Sequence, residues 1–116
     1  MTKSILAAAS HYKRARYFNE EYTDLPTAVR DELQAACSLS AEAARGIVTV
    51  GFYGDGTVFV EAEGAPDDHN YDEIGARLIV DSMLDEKAEL FRALRLWYAA
   101  FRTEEGKTLL QNVDKA

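Results

Sequence analysis

The stretch from residue 46 to 64, "GIVTVGFYGDGTVFVEAEG", restricts the fold of this chain more than any other. Two runs rich in Val, Phe and Tyr flank Gly54-Asp55-Gly56, the Asp-Gly chemistry that supplies positive φ to a tight hairpin turn. Alternation with a period of two sorts the side chains of such a hairpin into faces. Val48, Val50 and Phe52 join Val58, Val60 and Ala62 against a core, while Thr49, Tyr53, Thr57, Phe59, Glu61 and Glu63 look the other way.

A long helical pattern follows Gly64 and Pro66, running roughly from Tyr71 to Thr103. Ile74, Leu78 and Ile79 open its apolar stripe, and Met83, Leu90, Leu94, Trp97 and Phe101 continue it at helical spacings, flanked by Phe91 and Tyr98. Glu73 with Arg77 and Arg77 with Asp81 stand four apart, as a solvated helix face prefers. At 1.5 Å per residue an unbroken helix here would reach about 50 Å, against roughly 35 Å for the width of a domain this size. Either it breaks near Ser82–Asp85, or its distal half overhangs and packs on another copy of the chain. We take the single long helix, and with it a homo-oligomer.

Before the hairpin, "LPTAVRDELQAACSLSAEAARG" places Pro26 at a first helical position and Val29, Leu33, Ala36 and Cys37 on one stripe, predicting a helix that ends by about Ala44. At the start, "SILAAASHYKRARYFN" has alanines that suit a helix, yet from Tyr12 to Phe18 residues alternate as strands do. Alanine is a weak prior, so the segment reads as strand, turn near Ser10–Lys13, and strand. The expected fold is therefore α+β, one domain over residues 1–116: an antiparallel four-stranded sheet in ββαββα order, helices on one face, with a long C-terminal helix.

Read together, "YFNEEYTDLPTAVRDELQ", "GIVTVGFYGDG", "NYDEIGARLIV" and "LFRALRLWYAAF" resemble an uncharacterised family of small bacterial proteins, a domain of unknown function, over nearly the whole chain. Each block is also what an ordinary hairpin or capped helix looks like. Where members of that family often carry paired glycines entering the central strand, this chain has Arg45-Gly46. The resemblance implies a free-standing cytosolic protein and brings no activity, cofactor or catalytic residue with it.

The chain has 116 residues, 47% of them hydrophobic, enough to bury a core without disulfide or metal staples. A lone cysteine, Cys37, allows neither a disulfide framework nor a Cys/His zinc set. The apolar run Ile5–Ala9 is shorter than a signal-peptide core, and no segment approaches a membrane span. A soluble, cytoplasmic protein is expected, with no membrane partner.

The net charge of −7 is a local feature. Residues 1–53 hold six basic and six acidic side chains, residues 77–116 hold seven of each, and both segments cancel. The excess lies between Gly54 and Ala76, where Asp55, Glu61, Glu63, Asp67, Asp68, Asp72 and Glu73 stand with no Lys or Arg among them. Within "DDHNYDE", Asp67, Asp68, His69, Asp72 and Glu73 are candidate ligands for a divalent cation, hard ions taking carboxylate oxygens and His69 suiting a transition metal. The spacing argues otherwise, because adjacent acids point apart in an extended chain and the alternation of a calcium loop is missing. Helix initiation explains more: Asn70 as N-cap, Glu73 closing a capping box, and Asp72 and Glu73 at the positive end of the helix dipole.

No catalytic residues and no cofactor are indicated. His11 and His69 have no nucleophile at a recognisable motif spacing, there is no phosphate loop, and Cys37 reads as a small core hydrophobe. "HYKRARYF" interleaves basic and aromatic residues as single-strand binders do, but the acidity of the whole chain repels phosphate, and no nucleic-acid partner is expected. In "LFRALRLWYAAF", Leu90, Phe91, Leu94, Trp97, Tyr98 and Phe101 cover more of a helix than one core-facing stripe needs, in residue types enriched at interfaces. The sequence therefore predicts a non-enzymatic interaction module that self-associates through its C-terminal helix; a binding role for the acidic 54–76 region, toward divalent cations or a basic protein partner, is the alternative.

Overall fold

The computed structural model describes residues 2–115, with side chains as far as Val113. Strands β1 (Lys3–Ser10) and β2 (Ala15–Phe18) form a first hairpin across the turn His11–Arg14, and helix α1 (Thr27–Ala44) follows after a short 3-10 turn at Glu20–Tyr22. The second hairpin, β3 (Ile47–Tyr53) and β4 (Val58–Glu63), leads into α2 (Glu73–Glu86), α3 (Ala88–Phe101) and α4 (Glu104–Lys115). The fold is α+β, with one antiparallel sheet in the spatial order β2-β1-β3-β4.

The second hairpin turns on a type I turn closed by Gly56 at φ 87°. Gly56 N–H donates to the Tyr53 carbonyl and Tyr53 N–H to that of Thr57 at 2.8 Å, the three-residue connection in which a glycine takes the left-handed position. Asp55 finishes the turn by accepting from the Thr57 amide and hydroxyl, which holds its carboxyl below the usual range. The faces follow the period of two. Val48, Val50 and Phe52 are fully buried, and Val58, Val60 and Ala62 pack against them. On the far face Phe59 is only 7% exposed, because it lies over Gly51 beside the Tyr53 ring. A methyl group on Gly51 would fall 2.6 Å from the Phe59 ring, so the glycine is what lets the ring lie flat.

The helices cover the face bearing Val48, Val50 and Phe52. A register shift between Ile5 and Ala7 turns both Leu6 and Ala7 inward, where they meet Leu33, Cys37 and Leu94. Pro26 caps α1 from just outside rather than occupying its first position. At the other end Arg45 adopts the left-handed φ of 55°, and its amide and that of Gly46 close back on Ala41 and Glu42. That is the position glycine usually fills at a helix C-terminus.

The single C-terminal helix expected over Tyr71–Thr103 is instead divided, with a turn at Lys87 rather than within Ser82–Asp85 and a second break at Arg102–Thr103. The physical reason lies in its two anchors. Tyr71 packs against Gly46 and Gly64 at the open end of the second hairpin, and Tyr98 against Gly56 and Phe52 at its tip. Seven strand residues separate these ends by about 23 Å, whereas a straight helix from Glu73 to Tyr98 would span about 38 Å. The stripe shifts as well. Ala76, Val80 and Met83 are the buried residues of α2, while Ile74 and Leu78 face solvent.

Candidate functional site

The acidic segment from Gly64 to Glu73 wraps over the turn of the first hairpin. The Tyr12 hydroxyl donates to Asp68 Oδ2 at 2.6 Å and accepts from the Ala65 amide at 3.1 Å, and Asp68 Oδ1 accepts from the Asn70 amide at 3.0 Å. The Tyr12 hydroxyl and the Asn70 amide stabilise the Asp68 carboxylate and lower its pKa, and the same bond to Asp68 raises that of the Tyr12 phenol. His11 approaches Glu42 at 3.1 Å. Between these groups, Arg45 and the start of α2 lies a cleft of about 490 Å³.

The cap of α2 differs from the expectation. Asp72, not Asn70, is the N-cap, its Oδ1 accepting from the Gly75 amide at 2.9 Å, so Glu73 is the first helical residue and no capping box closes. Asn70 contributes only its backbone amide to the turn on Asp68. Each of the five candidate metal ligands thus has its own place. Asp68 is held by Tyr12 and Asp72 by α2, while Asp67, His69 and Glu73 are exposed; among the described residues no three His, Cys, Asp or Glu side chains converge on a point that could hold a metal ion.

The acids of the 54–76 region do not all stand without cations in space. Lys3, at the start of β1, hydrogen-bonds Glu61 across the outer sheet face and lies over the rings of Tyr53 and Phe59. A groove of about 620 Å³ runs between β4 and α2, from Val60 and Ala62 to Val80 and Leu84, with Glu63, Glu73 and the pair Arg77–Asp81 at its rim. Tyr71 stands at its end, its ring laid on Gly64 and Gly46 and its hydroxyl buried without a hydrogen-bond partner among the described residues; burial raises the pKa of that phenol.

Of the six aromatic and aliphatic residues expected at an interface, Leu90, Phe91, Leu94 and Trp97 are buried within the chain. The turn at Lys87 brings them onto the core, where Trp97 meets the Tyr22 ring at 6.0 Å. Tyr98 is half-buried over Phe52, and only Phe101 remains well exposed. The C-terminus of α3 is clamped by Arg102, whose guanidinium makes two bonds to the Asp24 carboxylate (2.9 and 2.8 Å) and one to the Glu21 carbonyl (2.9 Å) while lying 4.6 Å from the Trp97 ring centre.

Helix α4, which sequence reasoning passed over, carries an exposed apolar stripe. Thr103 starts it by accepting from the Gly106 amide at 3.0 Å. Gly106 lies against the backbone of Ala99 and Ala100, and it is the one buried residue of α4 among those described. From it the stripe continues through Leu109, Leu110 and Val113, which are 66%, 36% and 70% exposed. The signal was present in the spacing 106, 109, 110, 113, a helical i, i+3, i+4, i+7 set. The molecule measures 58 × 25 × 24 Å, the long dimension of a body extended by an arm.

No curated protein and no solved structure matches the chain. A family model described as "Family of unknown function (DUF6145)" matches residues 3–106. From the first strand to the start of α4, the chain belongs to that family.

Proposed function

We propose that the protein is a non-enzymatic interaction module of the bacterial cytoplasm that forms a homodimer through its C-terminal helix, α4, without engaging nucleic acid or membrane. One observation carries this reading: Leu109 and Val113 line one face of an arm at 66% and 70% exposure, with Leu110 partly exposed between them. The interface expected on α3 thereby moves one helix further, since α3 is occupied by its own core; Phe101, exposed at the junction, adjoins it.

A second copy suits this face because the arm is short and of mixed charge, with Glu104 and Glu105 against Lys107, so two arms meet without strong repulsion. Three side chains on each of two copies carry roughly 5–10 kcal/mol of burial at their observed exposures. That is about the size of the association cost. The dimer is therefore weak, with a net of a few kcal/mol at most, and the concentrations to search run up to roughly 1 mM, where about −4 kcal/mol suffices. Sedimentation velocity across that range tests it. A mass rising toward the dimer, abolished by Leu109→Glu with Val113→Glu at an unchanged melting temperature, supports the reading. A monomer throughout, or association indifferent to both substitutions, refutes it.

A further inference from the structure

The two edges of the sheet are not alike. β2 is four residues long and is preceded by Arg14 at a φ of 50°, with Arg16 within it; short, twisted and arginine-bearing edges resist pairing with another chain. β4 is six residues long and carries no proline, lysine or bulge along Val58–Glu63. Hydrogen bonding in an antiparallel pair alternates. Tyr53 bonds Thr57, so in the observed register Phe59, Glu61 and Glu63 are the residues that bond β3. Val58, Val60 and Ala62 then direct their N–H and C=O groups outward, and among the described residues these groups have no other backbone or side-chain partner.

We propose that this edge accepts an extended segment of a basic protein partner as a fifth strand, lying in the groove between β4 and α2. The proposal gives the acidic 54–76 region a geometry and is independent of α4. Main-chain pairing supplies affinity in such additions and alternate side chains supply selectivity. Here the two sides of the incoming strand meet different chemistry. Toward the helices it faces Val80 and Leu84 in a groove of about 620 Å³, which suits small aliphatic side chains. On the outer face it runs beside Glu63, which suits Lys or Arg since opposite charges directly across a strand pair attract, and beside Glu61, which already holds Lys3 and would share it. Glu63 and Glu73 have no cation within 4 Å among the described residues, and Arg77, the one cation of the groove, is already beside Asp81. The partner is thus a segment alternating aliphatic and basic residues.

The probe is an acetylated, amidated decapeptide of alternating valine and lysine, followed by NMR on the full chain. Saturable binding that slows amide exchange at Val58, Val60 and Ala62, falls at least tenfold with Glu61→Lys plus Glu63→Lys, and disappears when alternate peptide nitrogens are methylated supports the proposal. Equal binding of the methylated peptide would show adhesion by charge alone and overturns it, as does absence of binding or protection elsewhere. The charge-reversed variant must keep the parent melting temperature; if it does not, the methylated peptide decides alone. Loss of dimerisation with peptide binding intact would sink the α4 reading and leave this one standing.

Discussion

Arg102 makes a prediction that the structure lets one size in advance. Its guanidinium bonds Asp24 twice and the Glu21 carbonyl once, and lies over Trp97 at 4.6 Å and Tyr22 at 5.4 Å. Its side chain is 29% exposed and that of Asp24 54%, so the carboxylate pair takes the value of a well-aligned surface bridge, about 0.5–1 kcal/mol. The bond to the carbonyl adds about 0.5–1.5 kcal/mol and the stack on Trp97 about 0.5–1 kcal/mol. Removing all three by Arg102→Ala should cost about 1.5–3.5 kcal/mol, a fall in Tm of roughly 6–14 °C for a chain of this length. Arg102→Lys keeps the charge but loses the planar fork, and should recover less than half of that loss. Urea unfolding with an unchanged m-value is the assay. Arg102→Ala within about 0.5 kcal/mol of the parent, below the range expected of these contacts, or a lysine variant as stable as arginine, would refute the reasoning.

The same contact has a defined pH dependence. The Arg102 guanidinium depresses the Asp24 pKa from its ordinary 3.8, so the stabilisation is complete above that value and is lost as pH falls through the folded-state pKa. The gap between parent and Arg102→Ala should be constant from neutral pH down to mildly acid conditions and narrow below them, leaving the stacking and carbonyl parts.

Two further outcomes follow from geometry already described. Asp72→Ala removes the side-chain cap of α2 and should lower stability by about 0.5–2 kcal/mol, whereas Asn70→Ala, which retains the backbone amide on Asp68, should change it by a few tenths at most; chemical denaturation of the two variants would reverse that order if Asn70 were the cap. Cys37 is fully buried and desolvation lifts its thiol to about 12, so an alkylating reagent at pH 8 should modify it at the rate of unfolding; rapid labelling of the native protein contradicts the burial.

What could be read from the chain followed the range of the interactions involved. The faces of β3 and β4 were legible because alternation is a property of neighbouring residues, and α1 because Pro26 and the 29-33-36-37 stripe are local too. The α2 cap was misplaced by two positions: Asn70 and Asp72 are equally good cap types, and the choice depends on where Tyr71 inserts between Gly46 and Gly64. The contact of Tyr12 with Asp68 spans 56 residues and leaves no trace in local pattern, so "HYKRAR" and "DDHNYDE" looked like separate features when they share one corner. Four of the six candidate interface residues on α3 are taken up by the chain's own core, which could not be read in advance because counting apolar positions around a helix does not reveal how many sides the rest of the chain will cover.

The turn at Lys87 settles more than the length of a helix. Its backbone lies at φ −107° and ψ 27°, with neither glycine nor proline to mark it, and it exists because the hairpin tip and the hairpin base hold the two ends of α2–α3 closer together than a straight rod permits. The hairpin acts as a gauge against which the helical segment is fitted. Lengthen β3 and β4 by four residues each and the constraint relaxes by about 13 Å; the rod could straighten, and Leu90, Leu94 and Trp97 would slide off their own sheet in search of another. Whether this chain's aromatic surface serves its own interior or a neighbour's is thus decided by the length of a strand pair some thirty residues upstream.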